Sequence, residues 1–276
     1  MFSHYIMRCG YGSVLLAFLF ALQPTIASAD HSWGNYHWAR SSNPISLTLG
    51  DNVSGTWDSA LVVATSDWNV SAVLQISIVA GGTTPRRCSA TAGTRRIEVC
   101  NSTYGQTGWL GVASISVSGS HITSGTVRLN DTYFNTSQYN TPAWRALVTC
   151  QEVGHTFGLD HQDEVFNNPN LGTCMDYTNQ PASNQHPNAH DYEELSDIYA
   201  HLDSSAPPGL ASSAPVPASV PAAMNSLLLE GPGQWGRVTS HYSNGNPRTY
   251  ELDFGRGNKI ITHVFWVPGA AAEEHD

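Results

Sequence analysis

The chain has 276 residues, with 12 Lys+Arg against 22 Asp+Glu for a formal charge of -10, and only 12% of it is charged, against roughly 25% in ordinary soluble domains. With one lysine, Lys259, and no basic cluster beyond Arg86-Arg87 and Arg95-Arg96, it lacks the phosphate-neutralising surface of a nucleic-acid binder, so no nucleic-acid partner is expected. At 41% apolar it is not disordered by composition, and its length allows one well-filled core plus a small module.

Arg8 precedes the apolar run from Val14 to Leu22, and Ala27-Ser28-Ala29 supplies small residues where a signal peptidase cuts. Residues 1–29 therefore read as a secretory signal, and the mature protein as secreted and extracellular. No run approaches the about 20 apolar residues needed to span a bilayer, so no transmembrane segment is expected. Cys88, Cys100, Cys150 and Cys174 remain once Cys9 is removed with the signal. An even count in an exported chain favours disulfides, and proximity alone favours Cys88 with Cys100 and Cys150 with Cys174 among the three possible pairings.

Ile45 to Leu49 alternates with period two and predicts a strand ended by Gly50-Asp51. Trp57, Leu61, Ala64, Thr65 and Trp68 recur at helical spacing behind a cap at Ser54 or Thr56. Strands are expected at Val73 to Val79, Arg95 to Asn101, Gly111 to Val117 and Gly125 to Asn130. Pro142 opens a helix that runs to Gly158, and another spans about 191–202. Residues 204–223, rich in Ser, Ala and Pro, read as a linker. Gln234 to Val238, Thr249 to Phe254 and Ile260 to Val267 predict three further strands in a small β-rich module, 224–276, of marginal size for independent folding.

The helix from Pro142 carries the chemistry, in the run Cys150-Gln151-Glu152-Val153-Gly154-His155-Thr156-Phe157-Gly158-Leu159-Asp160-His161. Residues 151 and 155 lie one turn apart and can face one ion, with Glu152 beside it. Gly158 can take the left-handed conformation that ends a helix and brings His161 round. Glu-x-x-His-x-x-Gly-x-x-His arises by chance on the order of once per thousand chains of this length.

These residues, with Cys174-Met175-Asp176-Tyr177 downstream, resemble the metzincin zinc endopeptidases, whose motif is His-Glu-x-x-His-x-x-Gly-x-x-His followed by a methionine turn. The resemblance covers about 31–203. It implies an α+β domain at 30–203: a mixed, five-stranded twisted sheet, an active-site helix, the methionine turn and a C-terminal helix. It further implies a zinc cofactor bound by His155 and His161, with Tyr177 as a further ligand and Met175 beneath the metal. Glu152 is the general base, and a protein or peptide substrate lies extended along the strand near Gly111 to Val117. A monomer is expected.

Gln151 stands where the family has its first histidine. It offers only a neutral carboxamide oxygen, and it is either a weak ligand, replaced by another group or water, or the mark of a site without catalytic metal. The alternative function is then a non-catalytic, extracellular protein-binding domain, as inferred for adamalysin-like chains with glutamine here. A structural zinc site from Cys150, Cys174, His155 and His161 is disfavoured because Cys150 and His155 lie about 140 degrees apart round the helix. His186 and His190 are spare imidazoles near the methionine turn, expected as loop and helix-start residues. Asp163-Glu164 with Asn167 and Asn168 offer calcium-type oxygens, but no calcium-loop spacing frames them and a solvated loop is expected. Trp235 and Trp266 are expected to pack.

Overall fold

The computed structural model describes Met1, residues 31–203 and residues 219–270. Apart from Met1 the expected signal lies outside the described residues, as does the linker up to residue 218. In chain order the elements are β1 (His37–Trp38), β2 (Ile45–Asn52), α1 (Asp58–Trp68), β3 (Leu74–Ala80), β4 (Arg96–Ser102), β5 (Trp109–Ser118), β6 (His121–Asn130), α2 (Asp131–Phe134), α3 (Pro142–His155), α4 (Ala189–Ile198), α5 (Ser219–Ser226), β7 (Arg237–His241), β8 (Pro247–Asp253) and β9 (Asn258–Trp266). Short 3-10 turns at Pro181–Ser183 and Pro232–Gln234 complete the set.

The architecture is α+β around one mixed sheet in the order β3-β2-β4-β6-β5-β9-β8-β7, with β1 beside the start of β6. β2, β3, β4 and β6 are parallel, while β5 runs antiparallel to both β6 and β9. Among the described residues the sheet thus has nine strands where five were expected, because β7, β8 and β9 continue it beyond β5 and the short β1 pairs with β6. Their apolar residues had no edge of their own large enough to bury them, and the edge of β5 supplied one. Trp235, Trp266, Val264 and Phe265 are all buried as a result.

Several boundaries differ from the sequence expectation for local reasons. β2 continues through Gly50-Asp51, because Gly50 is paired on both sides, with Val79 of β3 and Glu98 of β4. At α1 the cap expected from a Ser54 or Thr56 side chain is absent, and the Trp57 N–H donates instead to the Ser54 carbonyl at 2.7 Å. The end of the expected linker is helical, in α5. α4 starts earlier than expected because Asn188 and Asp191 form a reciprocal capping box.

α1 and α3 lie together on one face of the sheet, with the Trp68 indole N–H donating to the Cys150 carbonyl at 3.1 Å. α3 begins at Thr141, whose hydroxyl accepts from Trp144 N, with Pro142 in the first turn. It stops at His155 rather than at Gly158, and Gly158 takes φ +99, a conformation open to glycine at little cost. A Cβ there would also collide with the Tyr36 carbonyl. The opposite face is covered by the chain after α5, where buried Arg128 of β6 donates to the carbonyls of Cys88 and Leu228, each at 2.7 Å.

Asp203 ties the end of the α4 region to the start of the sheet. Its carboxylate accepts from Arg40 N at 2.8 Å and from His121 at 3.0 Å, with His37 and His201 each at 3.5 Å, and its own N–H donates to the Arg40 carbonyl. Burial alone would raise its pKa, but the Arg40 N–H and the histidines outweigh it and hold the group at about 2, below its ordinary 3.8. A carboxylate depressed in this way stabilises the fold above the unfolded value, and that contribution is lost as pH falls towards 2. Asp203→Asn is therefore expected to lower the urea midpoint at pH 5, with the gap to the parent chain narrowing between pH 4 and pH 2. An equal gap at both ends would count against this account.

Candidate metal centre

α3 places Gln151, Glu152 and His155 wholly in the interior. His155 Nδ1 lies 2.9 Å from the Leu159 carbonyl. A carbonyl only accepts, so the proton sits on Nδ1 and Nε2 keeps its lone pair, and Nε2 has no hydrogen-bond partner. The turn at Gly158 is strapped to the N-terminal segment by Trp33 N to the Gly158 carbonyl (2.6 Å) and Asp160 N to the His31 carbonyl (2.5 Å). It returns His161 with its ring centroid 4.9 Å from that of His155, and neither His161 nitrogen has a partner.

The third imidazole at this point is His263, from β9. Its ring stacks on His155 with centroids 3.8 Å apart and stands perpendicular to His161 at 4.6 Å. One ring nitrogen from each of His155, His161 and His263 lies within 4.8 Å of the others. The Tyr242 hydroxyl donates to the Val264 carbonyl at 2.9 Å, so its contact with His263 Nε2 at 3.5 Å is served by a proton on that nitrogen. His263 Nδ1 is then left with a lone pair and has no partner. The position follows from register: His263 pairs with Ala113 of β5, whose side chain shares the α3 face with Gly111.

Glu152 sits against the same stretch of β5. A Cβ on Gly111 would come within 2.7 Å of Glu152 Oε1 and 2.6 Å of Val148 Cγ1, so only glycine leaves room for the carboxylate. Neither Glu152 oxygen has a hydrogen-bond partner. Burial pushes its pKa well up, and the Ala113 N–H, short of good hydrogen-bond geometry, pulls the other way. Burial likewise lowers His155, to about 4, and takes His161 and His263 well below their ordinary value, with the neighbouring imidazoles adding to the effect on those two. The three rings are neutral at pH 7, the state in which imidazole binds a metal.

Gln151 is committed elsewhere. Its amide nitrogen donates to the carbonyls of Cys174 (2.7 Å) and Asp176 (3.2 Å), and its Oε1 is buried without a partner. The turn it holds is also fixed by the Cys150–Cys174 disulfide and by Gln162 N to the Met175 carbonyl at 2.8 Å. The Met175 sulfur lies against α3 at Gly154. The Tyr177 ring stacks on Tyr242 at 3.9 Å and lies near-parallel to His161 at 5.6 Å, and burial raises its pKa.

Both disulfides form the sequential pairing, Cys88–Cys100 and Cys150–Cys174, so the two thiolates of a structural zinc site are spent. His186 pairs with Asp67 at 2.7 Å and His190 stacks on His31 at 4.7 Å, leaving His263 as the imidazole that joins His155 and His161. Asp163 accepts from Val165 N and from the Asn168 amide within the loop, and Glu164 pairs with Arg248 of β8. The expected substrate edge, Gly111 to Val117, is covered: β9 pairs with β5 from Trp109 to Ser118. A cleft of about 660 Å³ between Tyr104, Tyr133, Gly231 and Trp266 is lined by none of the residues of the centre.

No family model matches the chain, and no curated protein matches it. Among solved structures it is similar to two of myroilysin, each 13% identical over 61% of this chain. They cover 84% and 87% of those chains, with TM-scores of 0.35 and 0.34.

Because Gln151 donates twice into the methionine turn, Gln151→Glu would set a carboxyl group against two buried carbonyl oxygens. The expected cost in chelator-treated protein is about 1–3 kcal/mol, read as a lowered denaturant midpoint at unchanged slope. An unchanged midpoint would show that the two bonds are not made.

Proposed function

We propose that the chain is a secreted, zinc-dependent endopeptidase of metzincin type, with Glu152 as its general base. The observation that carries this reading is the cluster of His155, His161 and His263, in which His155 Nε2, both nitrogens of His161 and His263 Nδ1 are buried without partners, as are both oxygens of Glu152 on the same helix as His155. Stranding so many polar groups away from water costs free energy unless something binds them, and buried groups of this kind call for an ion or water. Neutral imidazoles with free lone pairs are the donor set zinc prefers, and three of them leave a fourth position open in tetrahedral geometry. The residues therefore fit the group.

When bound, zinc polarises the scissile carbonyl and makes a water acidic enough to attack near neutral pH. The protein's own part falls to few residues. His155, oriented by the Leu159 carbonyl, and His161, placed by the Gly158 turn, would hold the metal. Glu152, as the carboxylate, would take a proton from the attacking water and deliver it to the departing amine nitrogen. Gly111 keeps the space in which the carboxylate stands.

Zinc-loaded full-length protein is expected to hydrolyse casein, and Glu152→Ala to lose about 10²–10⁴-fold in turnover while keeping its zinc. Equal turnover by the variant would refute the role of Glu152. A parent chain that binds zinc and cleaves nothing would favour the non-catalytic binding domain.

A further inference from the structure

We infer that His263, carried on β9, is the third protein ligand of the metal in place of Gln151, so that the metal fastens the C-terminal strands to the edge of β5. The inference rests on the metal-binding reading above and goes beyond it in naming a ligand from outside the helical motif and a second task for the ion.

Four observations converge on it. His263 is fully buried, in van der Waals reach of His155, and one of its nitrogens falls within the same 4.8 Å circle as those of His155 and His161. Its tautomer is set from outside: Tyr242, already donating to Val264, can only receive from Nε2, which turns the Nδ1 lone pair into the free one. An outer partner on the non-ligating nitrogen is how proteins orient a metal-binding imidazole. Gln151, by contrast, spends its amide on the methionine-turn carbonyls, and its remaining atom is a neutral oxygen, the poorer donor for zinc.

Register is the fourth. Side chains alternate across the sheet, so the pairing of His263 with Ala113 directs the ring to the face where α3 lies, while Thr262 points to the other face and bonds Ser114 at 2.9 Å. The metal would then join two elements far apart in sequence, α3 and β9. By linkage, whatever binds the docked arrangement more tightly than the undocked one stabilises docking by the same factor. A peptide seeking the β5 edge must compete with β9, and the metal weighs on the side of β9.

The test uses the full chain with zinc as the probe, in competition with a chromophoric chelator, comparing the parent with His263→Asn, Gln151→Ala and His155→Ala. Zinc affinity should fall more than about 100-fold in His263→Asn, as in His155→Ala, and change little in Gln151→Ala. Hydrogen exchange of the parent guards against a variant that merely misfolds: adding zinc should slow the amides of 258–266, and that slowing should vanish in His263→Asn. Parent-like zinc affinity in His263→Asn, or loss of zinc in Gln151→Ala with retention in His263→Asn, overturns the inference and leaves the peptidase reading intact. A parent chain that binds no zinc overturns both. Zinc bound through His263 without turnover supports the inference and refutes the peptidase reading alone.

Discussion

The pairing of β9 with β5 is the constraint on which the centre depends. Sliding β9 by one residue would put Thr262 or Val264 in the place of His263 and send the imidazole to the far face of the sheet. The register is held on the face opposite the centre and at one end. Ser114 and Thr262 share a hydrogen bond opposite the centre, and an irregularity between Trp109 and Gly111 marks the start of the ladder. β8 adds its own ladder outside β9 and sends Arg248 across to Asp160, beside His161.

Around that register the interior is arranged against its own polar groups. One carboxyl group and three imidazoles are all buried, and burial favours the protonated acid and the unprotonated bases. Ordinary cores avoid such company, and this one is tolerable because surrounding atoms hold each group in place without neutralising it. Leu159 and Tyr242 each engage one nitrogen of a ring, Gly111 yields its side-chain volume to Glu152, and the Cys150–Cys174 link with the Gln151 amide keeps the methionine turn against α3. A divalent cation would reverse the local preference of Glu152 for its neutral form.

Much of this was legible in local pattern. The alternation from Ile45, the helical spacing from Trp57, and the proline and threonine that open α3 each specify an element through its own few residues. The Glu-x-x-His-x-x-Gly-x-x-His spacing placed Glu152, His155 and His161 together because a helix and a left-handed glycine fix their relation locally. His263 was not legible, since a single histidine within Ile260-Ile261-Thr262-His263-Val264-Phe265-Trp266 reads as one more buried strand residue. Its partner strand lies far back in the chain, and no short-range periodicity encodes which edge a strand will choose. Gly50 misled for the complementary reason: glycine punctuates chains locally, but here pairing with both neighbouring strands overrode the break.

The separation of the imidazoles along the chain also has a bearing on timing. Synthesis runs at about 5–20 residues per second, so roughly 5–20 s pass between the appearance of His161 and that of His263 on the ribosome. During that interval the emerging polypeptide holds the carboxylate and two rings but not the strand that brings the third, so the three-imidazole cluster cannot assemble before β9 has emerged.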